Sequence, residues 1–159
     1  MIIKPSGLLG PFTCFFYGTL MDRDVLTAVS GKRVGSLARR SAVLEGYYRP
    51  TRAGAVYPIL QRCLDEFVYG IVVHGLRAQE VARLNAHEGR EYDTAPLSVM
   101  LNGRMVTALA YVPRPWVPAS PERWCFDTWR RRHKAECLAR ITIRNKVTLH
   151  PLRRPKPGA

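Results

Sequence analysis

Apolar residues in this chain fall into short blocks whose spacing switches between the two-residue period of strands and the three-to-four-residue period of helices. Thr13-Cys14-Phe15-Phe16-Tyr17 is dense in β-branched and aromatic side chains and halts at Gly18. That pattern predicts a buried strand running into a Gly18-Thr19 turn. Over residues 22–30, Val25, Leu26 and Val29 recur at helical spacing and Gly31 supplies a left-handed stop. Residues 42–48 predict a second strand, Arg49-Pro50-Thr51-Arg52 an irregular segment, and residues 56–60 a short strand in which Pro58 argues against a central position. The clearest strand pattern is 67–73, and an amphipathic helix follows over 77–88, with Val81 and Leu84 facing inward and Gly89 ending it. Apolar positions then alternate or cluster over 92–100 and 105–112, on either side of Asn102-Gly103, a pair that favours a type I′ hairpin turn. Pro113, Pro115 and Pro118 make the next stretch a loop, a helix resumes over 122–139, and little structure is expected beyond Thr148. Strands interleaved with few helices place the chain in the α+β class, as a small mixed or antiparallel β-barrel with a few flanking helices.

Composition narrows this picture without changing it. A chain of 159 residues, 47% apolar and 23% charged, suits one folded core, expected over residues 1–150. No apolar run approaches the ~20 residues needed to cross a bilayer. The opening Met1-Ile2-Ile3-Lys4-Pro5 lacks the long apolar stretch of a signal peptide, so the expected place is the cytoplasm, away from membranes. Cys14, Cys63, Cys125 and Cys137 are scattered and make no C-x-x-C pair, which favours reduced thiols over a disulfide framework.

Charge does alter the picture. The formal net charge is +13, and it is uneven: residues 130–159 hold ten Lys or Arg against one acid, Glu136, while the other 129 residues hold fifteen against eleven. A nearly balanced body with a basic end, finishing in a basic flexible tail over 151–159, has two readings. One is a solvated, solubilising appendage, and the other is a weak contact for polyanions.

Three blocks in order carry a family resemblance. Phe16-Tyr17-Gly18-Thr19-Leu20 is similar to the Y-G-[ST]-L turn after the first strand of gamma-glutamylcyclotransferase-like proteins. Gly46-Tyr47 and Tyr57-Pro58 resemble small blocks between the family's first helix and its central strand. Tyr69-Gly70 through Leu84 and His87-Glu88-Gly89-Arg90-Glu91-Tyr92 resembles its "strand, helix, L-D-x-F-E-G-x-E-Y, strand" signature. The match spans roughly residues 13 to 112, a normal single-domain extent. It departs from the pattern at Asn85, where the family usually has Asp, at His87, where it has Phe, and at Asp93-Thr94, which lack an arginine often found there. These positions flank the presumed base and bear on substrate identity and rate more than on fold.

The resemblance implies an intramolecular aminolysis, in which the α-amine of a γ-glutamyl group attacks its own γ-carbonyl and releases 5-oxoproline and an amine. It assigns the acid/base to Glu88, with Glu91 as rival; taken alone, Glu88 reads as a solvated carboxylate at a helix end. Gly18, Thr19 and Leu20 offer backbone N–H groups at a strand-to-helix turn for a carboxylate or oxyanion, unless the turn is an ordinary connection. Tyr17, Tyr92 and Tyr111 sit at strand positions that face either a pocket or the core. No phosphate-loop, dinucleotide, zinc-protease or nucleophile-elbow motif occurs, and His74, His87, His133 and His150 are too dispersed for a metal cluster. No cofactor is implied, and the expected partner is a small γ-glutamyl substrate. The alternative is a non-catalytic module that keeps the pocket or binds polyanions.

Overall fold

The computed structural model describes residues 10–149. In chain order these form β1 (Phe12–Phe16), a 3-10 turn (Thr19–Met21), α1 (Arg23–Ser30), α2 (Lys32–Gly35), β2 (Arg39–Tyr48), β3 (Pro50–Arg52) and β4 (Gln61–Leu76). There follow α3 (Ala78–Glu88), a second 3-10 turn (Gly89–Glu91), β5 (Tyr92–Leu101), β6 (Arg104–Pro113), β7 (Ala119–Arg123), α4 (Phe126–Arg132) and α5 (Lys134–Leu149). The expected basic tail over 151–159 lies outside the described residues. No helix among the described residues is long and apolar enough to cross a membrane.

Five strands close a barrel in the order β1-β4-β2-β5-β6, and β3 pairs with β7 in a separate two-stranded sheet. Neighbours are antiparallel except where β1 meets β6 in parallel through Cys14 and Leu109, the seam that closes the barrel. The α+β class and the mixed barrel with flanking helices are therefore as the pattern predicts. The two-residue period of β1 divides the core: Phe15 points into the barrel with Leu44, Val72, Val99 and Ala108. Cys14 and Phe16 point outward, under a layer that includes Val25, Leu26, Leu84, Trp129 and Ile141 from the helices.

Helix ends are set locally. Asp22 caps α1 by accepting from the N–H groups of Asp24 at 3.0 Å and Val25 at 3.2 Å. The Glu80 carboxylate reaches back to the Arg77 N–H at 2.8 Å at the start of α3 and is held by the Arg33 guanidinium at 2.7 and 2.5 Å.

Three local expectations are corrected. Residues 56–60 form no strand beyond an isolated bridge between Thr51 and Pro58. The segment expected to be irregular contains β3, because residues 119–123 form a strand that pairs with it through Pro50 and Arg123. The helix expected over 122–139 starts at Phe126, breaks at His133 and continues to Leu149. Trp129 and Ile141 anchor the two helices in the outer core. Lys134 Nζ ties the start of α5 to Asp22 at 2.9 Å and Asp24 at 2.7 Å. Much of the basic end is thus packed structure, not an appendage.

Candidate active site

A cavity of about 590 Å³ opens between the end of β1, the Arg52–Pro58 connection, the end of α3 and the inner face of α5. All seven residues singled out from the sequence line it: Tyr17, Gly18, Thr19, Leu20, Glu88, Tyr92 and Tyr111.

The turn after β1 forms one wall. A Cβ on Gly18 would stand 3.0 Å from the Pro58 ring, so glycine lets the two segments approach. Pro58 is fixed from its other side by the Tyr92 hydroxyl, which donates to its carbonyl at 2.7 Å. The Arg49 guanidinium holds the Tyr17 carbonyl at 2.7 Å. The N–H groups of Gly18, Thr19 and Leu20 donate to no acceptor among the described residues, whereas Met21 and Asp22 already donate to Gly18 and Thr19. Three backbone donors therefore stand ready for an anionic or carbonyl oxygen.

Glu88 is the last residue of α3, and Gly89 follows at a φ of 74°, a left-handed value that ends the helix there. The Glu88 carboxylate has no hydrogen bond and no ion pair among the described residues, and burial pushes its pKa up to about 7. A carboxyl so poised can accept and return a proton near neutral pH. Burial above all, with the Glu88 charge as a smaller contribution, raises Tyr17, Tyr92 and Tyr111, so the three phenols stay protonated around it.

Glu91 lines the same cavity in the opposite condition. Arg52 grips it in bidentate fashion at 2.9 and 2.6 Å, the Tyr57 hydroxyl adds a hydrogen bond at 3.1 Å, and these partners lower its pKa. Of two carboxylates three positions apart, only Glu88 is unengaged. Such divergence of paired acids separates a proton-moving group from a positioning one.

The three tyrosines belong to wall and core at once. Tyr17 donates to the Tyr111 carbonyl, Tyr92 to Pro58, and the Tyr111 hydroxyl to Asn85 Oδ1 at 2.7 Å. Each hydroxyl uses its one O–H as a donor in these bonds, which leaves only its oxygen lone pairs for a further partner. Asn85, one turn before Glu88, thereby fixes Tyr111 while adding no negative charge beside Glu88.

The residues missed by sequence reasoning come from α5 and from the Arg52–Tyr57 connection. His133, at the break between α4 and α5, and Glu136, Cys137, Arg140, Ile141 and Arg144 of α5 line the cavity as well. His87, beside Glu88, accepts from Arg144 at 2.8 Å. Burial, with the nearby Arg144 charge, drives the His87 pKa down to about 4, so the ring is neutral. The spacing of Cys137, Leu138 and Ile141 was the available sign that this stretch packs on one face.

Comparison with known proteins gives the family and the fold. A family model described as gamma-glutamyl cyclotransferase, AIG2-like matches residues 14–131. AIG2-like protein A of Arabidopsis thaliana is 29% identical over 130 residues, covering 78% of this chain and 75% of that protein. A solution structure of another Arabidopsis thaliana protein superposes with a TM-score of 0.63 at 24% identity, over 92% of this chain and 98% of that one. A yeast gamma-glutamyl cyclotransferase specific to glutathione gives a TM-score of 0.51 at 15% identity, over 70% and 73% of the two chains. At these identities the two structures speak to fold.

Proposed function

The chain belongs to the gamma-glutamyl cyclotransferase, AIG2-like family, and from that premise we propose that it cyclises a γ-glutamyl group to 5-oxoproline with Glu88 as the single acid/base. The observation that carries the reading is the unpartnered Glu88 carboxylate, with its pKa near 7, in a cavity that also holds three free backbone N–H groups.

The chemistry needs little else. Nucleophile and electrophile belong to one molecule, so their effective molarity is high once the substrate is folded on itself. Glu88 takes a proton from the substrate's α-ammonium. The freed nitrogen forms a C–N bond to the γ-carbonyl carbon, giving a tetrahedral oxyanion. The amide C–N bond to the leaving amine then breaks as Glu88 returns the proton to that nitrogen, the electron pair of the oxyanion restores the carbonyl, and the surplus proton of the ring nitrogen passes to the departing amine, which leaves as an ammonium. The free amides of Gly18, Thr19 and Leu20 are suited to the substrate's α-carboxylate or to the oxyanion. The three phenolic oxygens suit the ammonium as acceptors. Arg52 and Glu91, locked together, hold the wall that Tyr57 completes.

The test is release of 5-oxoproline from γ-glutamyl amino acids, γ-glutamyl amines and glutathione, by wild type, Glu88→Gln and Glu91→Gln. Wild type is expected to release it from at least one class, and Glu88→Gln to be about 10²–10⁴-fold slower. Glu91→Gln is expected to lose less. Equal rates for wild type and a folded Glu88→Gln would remove Glu88 from the mechanism. No release by wild type from any class would favour a binding module that keeps the cavity.

A further inference from the structure

Among the described residues, three carboxylates and three guanidinium groups line the cavity. Two of each are matched: Arg52 with Glu91 at 2.6 Å, and Arg140 with Glu136 at 2.5 Å. Glu88 and Arg144 are left over. They do not neutralise each other, since no ion pair joins them among the described residues and burial alone governs the Glu88 carboxyl. The contact Arg144 does make is to His87 Nδ1, and that ring is neutral. Arg144 therefore brings a positive charge with no carboxylate partner among the described residues, and its guanidinium has donors to spare beyond the one His87 accepts. The contact with His87 aims it at the end of α3, one residue from Glu88.

A γ-glutamyl compound always carries an α-ammonium and an α-carboxylate, which Glu88 and the turn amides already suit. What varies between γ-glutamyl compounds is the leaving amine. We propose that Arg144 receives a carboxylate borne by that leaving amine, so that the substrate class is γ-glutamyl amino acids and short peptides and not uncharged γ-glutamyl amines. A planar guanidinium matches a carboxylate through paired N–H donors. The inference rests on the cyclisation reading above and adds the half of the substrate which that reading leaves open.

The experiment compares γ-glutamyl-alanine with γ-glutamyl-alaninamide, which differ only in a terminal carboxylate or carboxamide. Both are given to wild type, Arg144→Gln and Arg144→Glu, and the readout is the ratio of their kcat/KM values from 5-oxoproline release. Taking the ratio relative to wild type cancels the intrinsic difference between the two leaving amines. Arg144→Gln is expected to lower the ratio about tenfold, mainly through KM of the carboxylate substrate, and Arg144→Glu to lower it further. Because Arg144 is exposed at the cavity mouth, the wild-type ratio should also fall as salt rises. A ratio unchanged across the three proteins, including equal reductions on both substrates, overturns the proposal and assigns Arg144 to the shared glutamyl half or to packing. Release of 5-oxoproline from neither substrate by a wild type that does act on an uncharged γ-glutamyl amine would overturn this proposal alone, and release from no class at all would overturn the cyclisation reading and this one with it. Thermal unfolding of each variant separates weakened substrate recognition from a damaged fold.

Discussion

Glu88 and Glu91 are chemically identical, three positions apart and open to the same cavity, yet their surroundings push them in opposite directions. The difference lies in partners that arrive from far along the chain. Arg52 and Tyr57 come from the connection before β4 to reach Glu91, and nothing comparable among the described residues reaches Glu88. The sequence placed Glu88 at the end of a helix and Glu91 just past its glycine stop, but held no sign of where Arg52 would go, so it gave no reason for the two to differ in their partners. Burial of Glu88 has a thermodynamic consequence. Its carboxyl titrates near 7 in the folded chain against an ordinary value of 4.5. Below pH 4.5 it is protonated in both states and costs nothing. Between 4.5 and 7 the unfolded chain ionises while the folded one resists, so the unfolded state binds fewer protons and stability falls as pH rises. Above 7 the loss is complete, at about 3 kcal/mol. Glu88→Gln has no such group. It is therefore expected to match or approach wild type at pH 4 and to exceed it by about 2–3 kcal/mol at pH 8, in urea unfolding followed across pH. A constant difference between the two proteins from pH 4 to 8 would mean that the carboxyl is not desolvated. The same titration predicts that wild-type kcat/KM rises with pH toward 7 and levels there, as the basic form of Glu88 becomes populated.

Elements that the chain declares by local pattern were legible, and those that depend on distant pairing were not. The helix ending at Glu88 was visible because Val81 and Leu84 mark its inner face and Gly89 its stop, and the β5–β6 hairpin because Asn102-Gly103 marks its turn. By contrast β3 and β7 are short, contain prolines, and exist because Pro50 and Arg123 find each other across some seventy residues. A reading confined to neighbours assigned the first to an irregular segment and the second to a loop running into the start of a helix. The same limit hid the packing of α5, whose first residues were read as helix but whose arginines suggested a solvated end, while Ile141, 2% exposed, fixes the helix to the outer core. This makes α5 a wall of the cavity whose position depends on a few apolar anchors. Ile141→Ala is expected to cost about 2–4 kcal/mol in urea unfolding, from the reduced burial and the cavity left behind. Ile143, 63% exposed on the same helix, should tolerate alanine within about 0.5 kcal/mol. Equal effects at the two positions would mean that α5 is not docked as described.

At the scale of the molecule, barrel closure is what turns scattered sequence blocks into one site. The parallel seam between Cys14 and Leu109 brings the end of β1, with Tyr17 and its turn, beside the part of β6 that carries Tyr111. The antiparallel register of β5 and β6 sets Thr94 opposite Tyr111 and Tyr92 opposite Pro113, which keeps the start of β5 at the same end. The pieces were legible one by one, and their convergence was not, because closure is a property of all five strands together. Charge is the other whole-molecule property, and the fold divides the basic end into parts with different duties. Arg140 and Arg144 face the cavity. Arg130, Arg131 and Arg132 lie in the last turn of α4 and are exposed. There they complement the negative end of the helix dipole, a favourable position that needs no partner. With a net charge of +13 they also offer a surface to phosphate backbones. Duplex DNA titrated at rising salt separates these duties. If the three arginines bind phosphates, log affinity should fall linearly with log salt, and replacing all three with Gln should flatten the slope by about 0.9 for each phosphate no longer neutralised. An unchanged slope in that variant, with a flatter one after removal of residues 150–159, would shift the binding to Arg153, Arg154 and Lys156. Absence of binding even at about 50 mM salt would leave the α4 arginines to the helix dipole and to solubility, and would confine recognition of anions by this chain to its cavity.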